Sequence, residues 1–130
     1  MITKRLKMAV GLLSVEFVAG MLLLTLFRAP QGTEPPFWSA TGITGAIHGL
    51  LGLAILIGSI FIVVNAARRN RILLSRAVLG FLGVVASVVG GLAFGSIHGS
   101  VWLFTMSVGF IVALLSYGSM YAVAKANGLE

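Results

Sequence analysis

The chain has 130 residues, of which only 9% are charged, 58% are apolar and 17 are glycine. A soluble domain carries about 25% charged residues, so this composition excludes a water-soluble globule and a disordered chain. The absence of cysteine excludes a disulfide framework and cysteine-ligated metal sites. The mean hydropathy of +1.08 indicates a small integral membrane protein. The net charge of +6 then concerns orientation and lipid headgroups, and no nucleic-acid partner is expected.

The apolar stretches predict four transmembrane helices, since crossing the hydrocarbon core takes about 20 mostly apolar residues. The predicted spans cover residues of about 8–27, 41–67, 74–95 and 98–124. Glu16 interrupts the first span, a proline-containing loop follows it, and no polar loop separates the last two. Short connections predict an all-α, up-down-up-down bundle that forms one domain over residues 1–130.

The basic residues predict the orientation of the bundle. If the spans alternate, eight of the nine Lys and Arg residues fall on one side and only Arg28 falls on the other. The positive-inside rule makes the basic side cytoplasmic. We therefore expect a multi-pass cell-membrane protein with both termini in the cytoplasm, and we expect Phe37, Trp38 and Trp102 near the outer interface.

Two histidines fall at membrane depth within similar sequences. Gly45-Ala-Ile-His48-Gly49 and Gly95-Ser-Ile-His98-Gly99 are identical at four of five positions, with an offset of 50 residues. The second and fourth spans run in the same direction, so both histidines are expected at a similar depth in the outer leaflet. Two imidazoles from parallel helices could then face each other.

Paired neutral imidazoles can take both axial positions of a haem iron. Small residues near each histidine would admit the porphyrin: Gly45, Gly49 and Gly52 near His48, and Gly95 near His98. Trp102 lies on the predicted helix face of His98, and Arg28 is the outer basic residue that could pair with haem propionates. The sequence therefore predicts one haem b with His48 and His98 as iron ligands.

Other interpretations of the histidines remain open. Membrane histidines often form hydrogen bonds within a helical bundle, and glycines often serve helix contacts alone. Proton relay, quinone contact and metal binding are further alternatives. A zinc site is disfavoured because zinc takes three or four protein ligands. His98 could also lie in the connection between the last two spans.

Glu16 is expected near mid-membrane, below the predicted haem. A carboxyl at that depth is expected to be protonated or paired, because a charge is costly there. It could transfer protons or couple to a transported ion, or it could be a neutral acid bonded to Ser87 or Ser107.

The residues from Arg76 to Ala113, which include Ile97-His98, and the segment His48-Gly-Leu-Leu-Gly-Leu53 resemble one four-helix half of the haem A synthase family. In that family each half carries haem-ligating histidines on its second and fourth helices, which implies His48 and His98 here. The family's catalytic half has a glutamate three residues before the first histidine, where this chain has Gly45, and an arginine after it, where this chain has Gly49. The cysteine pair of many members is also absent. The resemblance thus implies haem binding more than haem oxidation.

Small multidrug exporters provide a second resemblance, since they have four spans and one essential glutamate in the first, as Glu16 would be. Our leading prediction is a cytochrome b-like protein that transfers single electrons or handles haem, with a quinol or an outer-side redox partner. A haem-modifying enzyme and a proton-coupled exporter are the alternatives. Membrane lipids, a bound quinone and a second copy of the chain are further candidate partners.

Overall fold

The computed structural model describes residues 2–26, 39–69, 71–97 and 100–128. Within these ranges the backbone alone is described for residues 23–26, 40–41 and 94–97. These ranges form four helices and contain no strand. The helices are α1 (Ile2–Leu26), α2 (Ala40–Ala67), α3 (Arg71–Ile97) and α4 (Ser100–Ala126). The predicted all-α fold with four helices is confirmed.

Helix α1 begins well before the apolar span predicted for it. Ile2, Leu6 and Leu13 are buried in the core, whereas Lys4 and Arg5 are exposed. This spacing of buried residues is the helical period, so the basic segment continues the helix with its apolar residues turned inward.

Helix α2 has a defined start and a short exit. The Ser39 hydroxyl accepts a hydrogen bond of 3.1 Å from the Gly42 backbone N–H, which caps the first turn. The helix ends at Ala67, and α3 starts at Arg71. A connection this short makes α2 and α3 antiparallel neighbours.

The four helices form a ring in chain order. Each helix packs against the next one, and α4 closes the ring against α1. Within the described ranges, the backbones of the diagonal pairs α1–α3 and α2–α4 do not approach each other. Neighbouring helices in this ring run in opposite directions. Seven basic residues of the described chain lie at the end of the bundle where α1 and α3 begin and α2 and α4 end. We call this the basic end; its residues are Lys4, Arg5, Lys7, Arg68, Arg69, Arg71 and Lys125, with Arg76 in the next turns of α3.

Helices α3 and α4 form the closest pair in the bundle. An added Cβ at Gly83 would lie 2.6 Å from the Gly109 carbonyl oxygen, and one at Gly90 would lie 2.6 Å from the Met106 backbone nitrogen. The Ser87 hydroxyl also lies 3.0 Å from the Met106 carbonyl oxygen. Small residues allow such close backbone approach between helices in a membrane.

The best-packed core lies toward the basic end. Leu6, Ala66, Leu73, Met120 and Ala124 are almost fully buried there. Farther from the basic end, side chains of all four helices line a cavity. The bundle is therefore tightly packed at one end and has a cavity near its middle.

Three helices are long and apolar enough to cross a membrane. They contain the segments Gly42–Ala67, Arg71–Ala93 and Ser100–Ala126. Helix α1 carries Lys4, Arg5, Lys7 and Glu16 within its described residues, and it does not meet the same criterion. The composition of the other three helices is consistent with a membrane protein.

The close α3–α4 contact predicts that Gly83→Ala destabilises the bundle. The new methyl group would meet backbone atoms that cannot rotate away, and overpacking of this kind costs about 1–3 kcal/mol. The matched control is Gly118→Ala in α4, where an added Cβ meets nothing within 4 Å. Thermal unfolding in detergent, followed by circular dichroism, should show a lower midpoint for Gly83→Ala alone. Equal midpoints would contradict the packing described here.

Candidate functional site

A central cavity of about 320 Å³ lies between the four helices. Its wall is almost entirely apolar, as in most small-molecule pockets. Its ionisable side chains among the described residues are Glu16 from α1 and His48 from α2, and two hydroxyl groups come from Ser87 and Ser107. Glycines widen it: Gly20, Gly49, Gly52 and Gly91 all line the wall.

Glu16 and His48 are in direct contact in this wall. Glu16 Oε1 lies 2.9 Å from His48 Nδ1, and the two side chains are 10% and 28% exposed. The distance is that of an ion pair, but Nδ1 does not make an aligned hydrogen bond. The second carboxyl oxygen, Oε2, is buried and has no hydrogen-bond partner in the described part of the chain. The pair therefore retains one unused acceptor.

Two glycines make room for this contact in a reciprocal way. An added Cβ at Gly20, one turn after Glu16, would lie 3.3 Å from His48 Cε1. An added Cβ at Gly52, one turn after His48, would lie 3.4 Å from Glu16 Oε1. Because α1 and α2 are antiparallel, each polar side chain packs against the glycine of the other helix.

The two serines do not pair with Glu16. Ser87 Oγ lies 3.0 Å from each of two acceptors, the carbonyl oxygens of Gly83 and Met106. Ser107 Oγ donates to the Leu103 carbonyl oxygen at 2.9 Å. On sequence alone Glu16 stands apart from the histidines and has these serines as candidate partners, whereas in the structure its carboxyl contacts His48. The signal for this contact is the shared spacing of a polar residue and a glycine one turn later.

Five other predicted site residues lie in the described helices. Gly49 and Gly52 line the cavity beside His48, whereas Gly45 does not line it. Trp102 is half-buried in α4. The backbone of Gly95 lies in α3, but its surroundings are not described.

His98 and Arg28 lie outside the described residues, and so do Phe37 and Trp38. Helix α4 begins at Ser100, two residues after His98 in the sequence, and it stands diagonally across the bundle from α2. The predicted pairing of the two histidines therefore stays a prediction.

A compact metal site of several side chains is not found where the structure describes the chain. No group of three or more His, Cys, Asp or Glu residues comes together there. The methionines Met21 and Met106 line the cavity, each from a different helix. Bis-imidazole ligation of haem needs two histidines only, so this observation does not bear on it.

The surroundings of His48 fit a haem ligand. Histidines that bind metals usually turn their other ring nitrogen toward a carboxylate or carbonyl, which fixes the ring orientation. Glu16 Oε1 lies 2.9 Å from Nδ1, in the position of such a carboxylate, although the two atoms do not make an aligned hydrogen bond. The apolar wall and its glycines also suit a large flat cofactor.

The Glu16–His48 contact predicts an energetic coupling between the two side chains. In a double-mutant cycle, Glu16→Gln and His48→Gln should couple by about 0.5–2 kcal/mol, because each single change leaves a polar partner in the cavity. The measurement is unfolding of the full chain by a denaturing detergent. Ser14→Ala is the control, since Ser14 lies on α1, is exposed and bonds only to the Val10 carbonyl oxygen. If the coupling energy between Glu16→Gln and His48→Gln is no larger than that between Ser14→Ala and His48→Gln, the contact is contradicted.

The described cavity thus holds one carboxyl, one imidazole and two hydroxyl groups in an apolar wall. No protein-family model, curated protein or solved structure matches the chain. The Glu16–His48 pair is therefore the feature from which a function has to be inferred.

Proposed function

We propose that the chain crosses the cell membrane four times, with the basic end and both termini in the cytoplasm. The support is the collection of basic residues at one end of the bundle, which the positive-inside rule assigns to the cytoplasm. Helix α1 has 25 residues, enough to span a bilayer. Its contact with His48 gives Glu16 a polar partner at membrane depth.

Within this bundle the protein is a cytochrome b-like haem protein. The observation that carries the proposal is His48 in the cavity wall, with Nδ1 against Glu16 and Nε2 left as the ligating nitrogen. His98 would be the second ligand, because it immediately precedes α4, the helix diagonal to α2. Arg28 would pair with the propionates at the outer side.

Each part of the site then has a defined task. Glu16 orients the His48 ring, and the glycines leave space on the cavity wall. The apolar lining excludes water and lowers the local polarity, which tunes a bound cofactor. A haem held there would supply one-electron chemistry, and a quinol or a redox partner on the outer side would exchange the electron.

A haem-modifying enzyme is the related alternative. The haem A synthase family carries a glutamate three residues before its histidine, and this chain has Gly45 there. In the structure a carboxyl nevertheless reaches His48, since Glu16 approaches it from α1. Because of this contact, a haem-modifying enzyme stands as an alternative to an electron-transfer protein.

The haem proposal predicts a bis-imidazole spectrum. Full-length protein, purified in detergent from haem-supplemented cells, should show a Soret band and low-spin bands in a reduced-minus-oxidised spectrum. His48→Ala and His98→Ala should each abolish the low-spin bands, because each removes one ligand. Ser107→Ala is the control, since Ser107 lines the same cavity but donates its hydroxyl within α4.

The outcomes of this experiment are distinct. A colourless wild-type protein would reject both haem proposals, and low-spin bands in either histidine variant would reject that ligand. Conversion of the cofactor would appear as a changed porphyrin mass after extraction, which would favour the enzyme over the electron carrier.

A proton-coupled exporter of lipophilic amines is the second candidate function. The observation that favours it is Glu16 Oε2, which is buried and unpartnered beside the apolar cavity. A carboxylate in such a pocket could bind a proton and an amine in alternation. This function needs neither His98 nor Arg28.

The exporter predicts that Glu16→Gln removes proton-driven resistance to lipophilic amines while the protein still folds. Growth of expressing cells on such an amine, with the membrane level of protein checked, measures it. Ser14→Ala provides the control on the same helix, with its side chain outside the cavity. Resistance that survives Glu16→Gln would reject this function.

A further inference from the structure

A second cavity opens on the flank of the bundle, between α1 and α2. Its volume is about 290 Å³. It is separate from the central cavity over most of its wall, and it runs from Arg5 near the basic end toward the middle of the bundle. We call it the flank groove; its lining is Arg5, Met8, Ala9, Leu12, Ala54, Ile55, Gly58, Ser59, Phe61, Ile62 and Tyr117.

The sides of the flank groove are apolar and face outward. Met8 is 63% exposed and Phe61 is 58% exposed, so both would meet lipid chains in a membrane. Gly58 leaves an opening in the α2 side, where an added Cβ would meet nothing within 4 Å. The groove therefore has the shape and surface to take an acyl chain from the bilayer.

The floor of the flank groove is polar. Tyr117 from α4 is fully buried, yet its hydroxyl makes no aligned hydrogen bond within the described residues. The Ser59 hydroxyl lies beside it. Ser59 donates its own proton to the Leu56 carbonyl oxygen at 2.6 Å, which leaves the Ser59 oxygen able to accept the Tyr117 proton. The two hydroxyl groups therefore close the floor of the groove, and contacts to a ligand fall to its sides and its charged end.

The end of the flank groove is positively charged. Arg5 lines it, is exposed and makes no ion pair with the part of the chain that the structure describes. Lys4 and Arg69 also belong to the basic end. Basic residues at a membrane surface attract anionic lipid headgroups, and a guanidinium binds phosphate oxygens in a two-pronged geometry.

We propose that the flank groove binds one anionic glycerophospholipid. Its phosphate contacts Arg5, and one acyl chain lies along Met8, Phe61 and the Gly58 opening. The charged end of the groove and its apolar sides match the charged headgroup and the acyl chain of such a lipid. This proposal is independent of haem and of transport.

The test is retention of lipid by the full-length protein in native mass spectrometry. Phosphatidylglycerol and phosphatidylcholine with identical chains are offered in equal amounts, and one phosphatidylglycerol per chain is expected to be retained in preference. Arg5→Gln should lower its retention about fivefold, the contribution of one basic residue near a charged surface. Gly58→Leu should block the groove and should also lower retention.

Two matched controls separate this site from general effects. Lys7→Gln removes a charge at the same end, and Gly11→Leu adds a side chain on α1, but neither residue lines the groove. Both controls should retain phosphatidylglycerol as the wild type does, and helical content by circular dichroism verifies that each variant folds. Equal retention of the two lipids would overturn the proposal. The proposal would also be overturned if Arg5→Gln and Gly58→Leu retained phosphatidylglycerol as the wild type does. The same holds if Lys7→Gln lost as much phosphatidylglycerol as Arg5→Gln.

Discussion

The contact between Glu16 and His48 is the interaction on which the middle of this bundle depends. A carboxyl and an imidazole inside an apolar environment are costly unless they meet each other or a ligand. Here they meet across α1 and α2 at 2.9 Å, and two glycines one turn away give them the space to do so. Each glycine therefore serves the polar residue of the opposite helix, and the four residues act as one unit.

The rest of the architecture follows from an uneven distribution of close contacts. Helices α3 and α4 approach at Gly83 and Gly90 until their backbones touch. Large side chains such as Leu6, Leu73 and Met120 fill the interior at the basic end. The space over Gly20 and Gly52 is taken by His48 and Glu16, whereas an added Cβ at Gly49, in the same cavity wall, would meet nothing within 4 Å. Open space in the cavity therefore remains beside the Glu16–His48 pair.

The sequence predicts the helices better than it predicts the site. Long apolar runs, interrupted by the proline-containing segment after residue 27 and by the arginines after Ala67, predict membrane helices, because such a run can satisfy its backbone hydrogen bonds in lipid as a helix. The break between the last two helices carries no polar signal of this kind. The start of α1 at Ile2 is harder to predict, because the basic residues of this segment make it look polar although Ile2 and Leu6 are buried on one face of the helix. The partner of Glu16 could not be read from periodicity, since that requires the relative depth and rotation of two helices. The sequence predicts His48 as a haem ligand, which stays a prediction, and its contact with Glu16 depends on packing.

The ring arrangement has a mechanical consequence. The described backbones of α2 and α4 do not approach each other, and neither do those of α1 and α3. Tyr117 of α4 reaches across the diagonal to Ser59 of α2. A ring of helices joined mainly between neighbours resists shear through diagonal contacts of this kind. A molecule held in the central cavity, between opposite helices, would add another diagonal contact. Occupancy of the central cavity would therefore stiffen the bundle against shear as well as fill it, whatever the chemistry of the occupant.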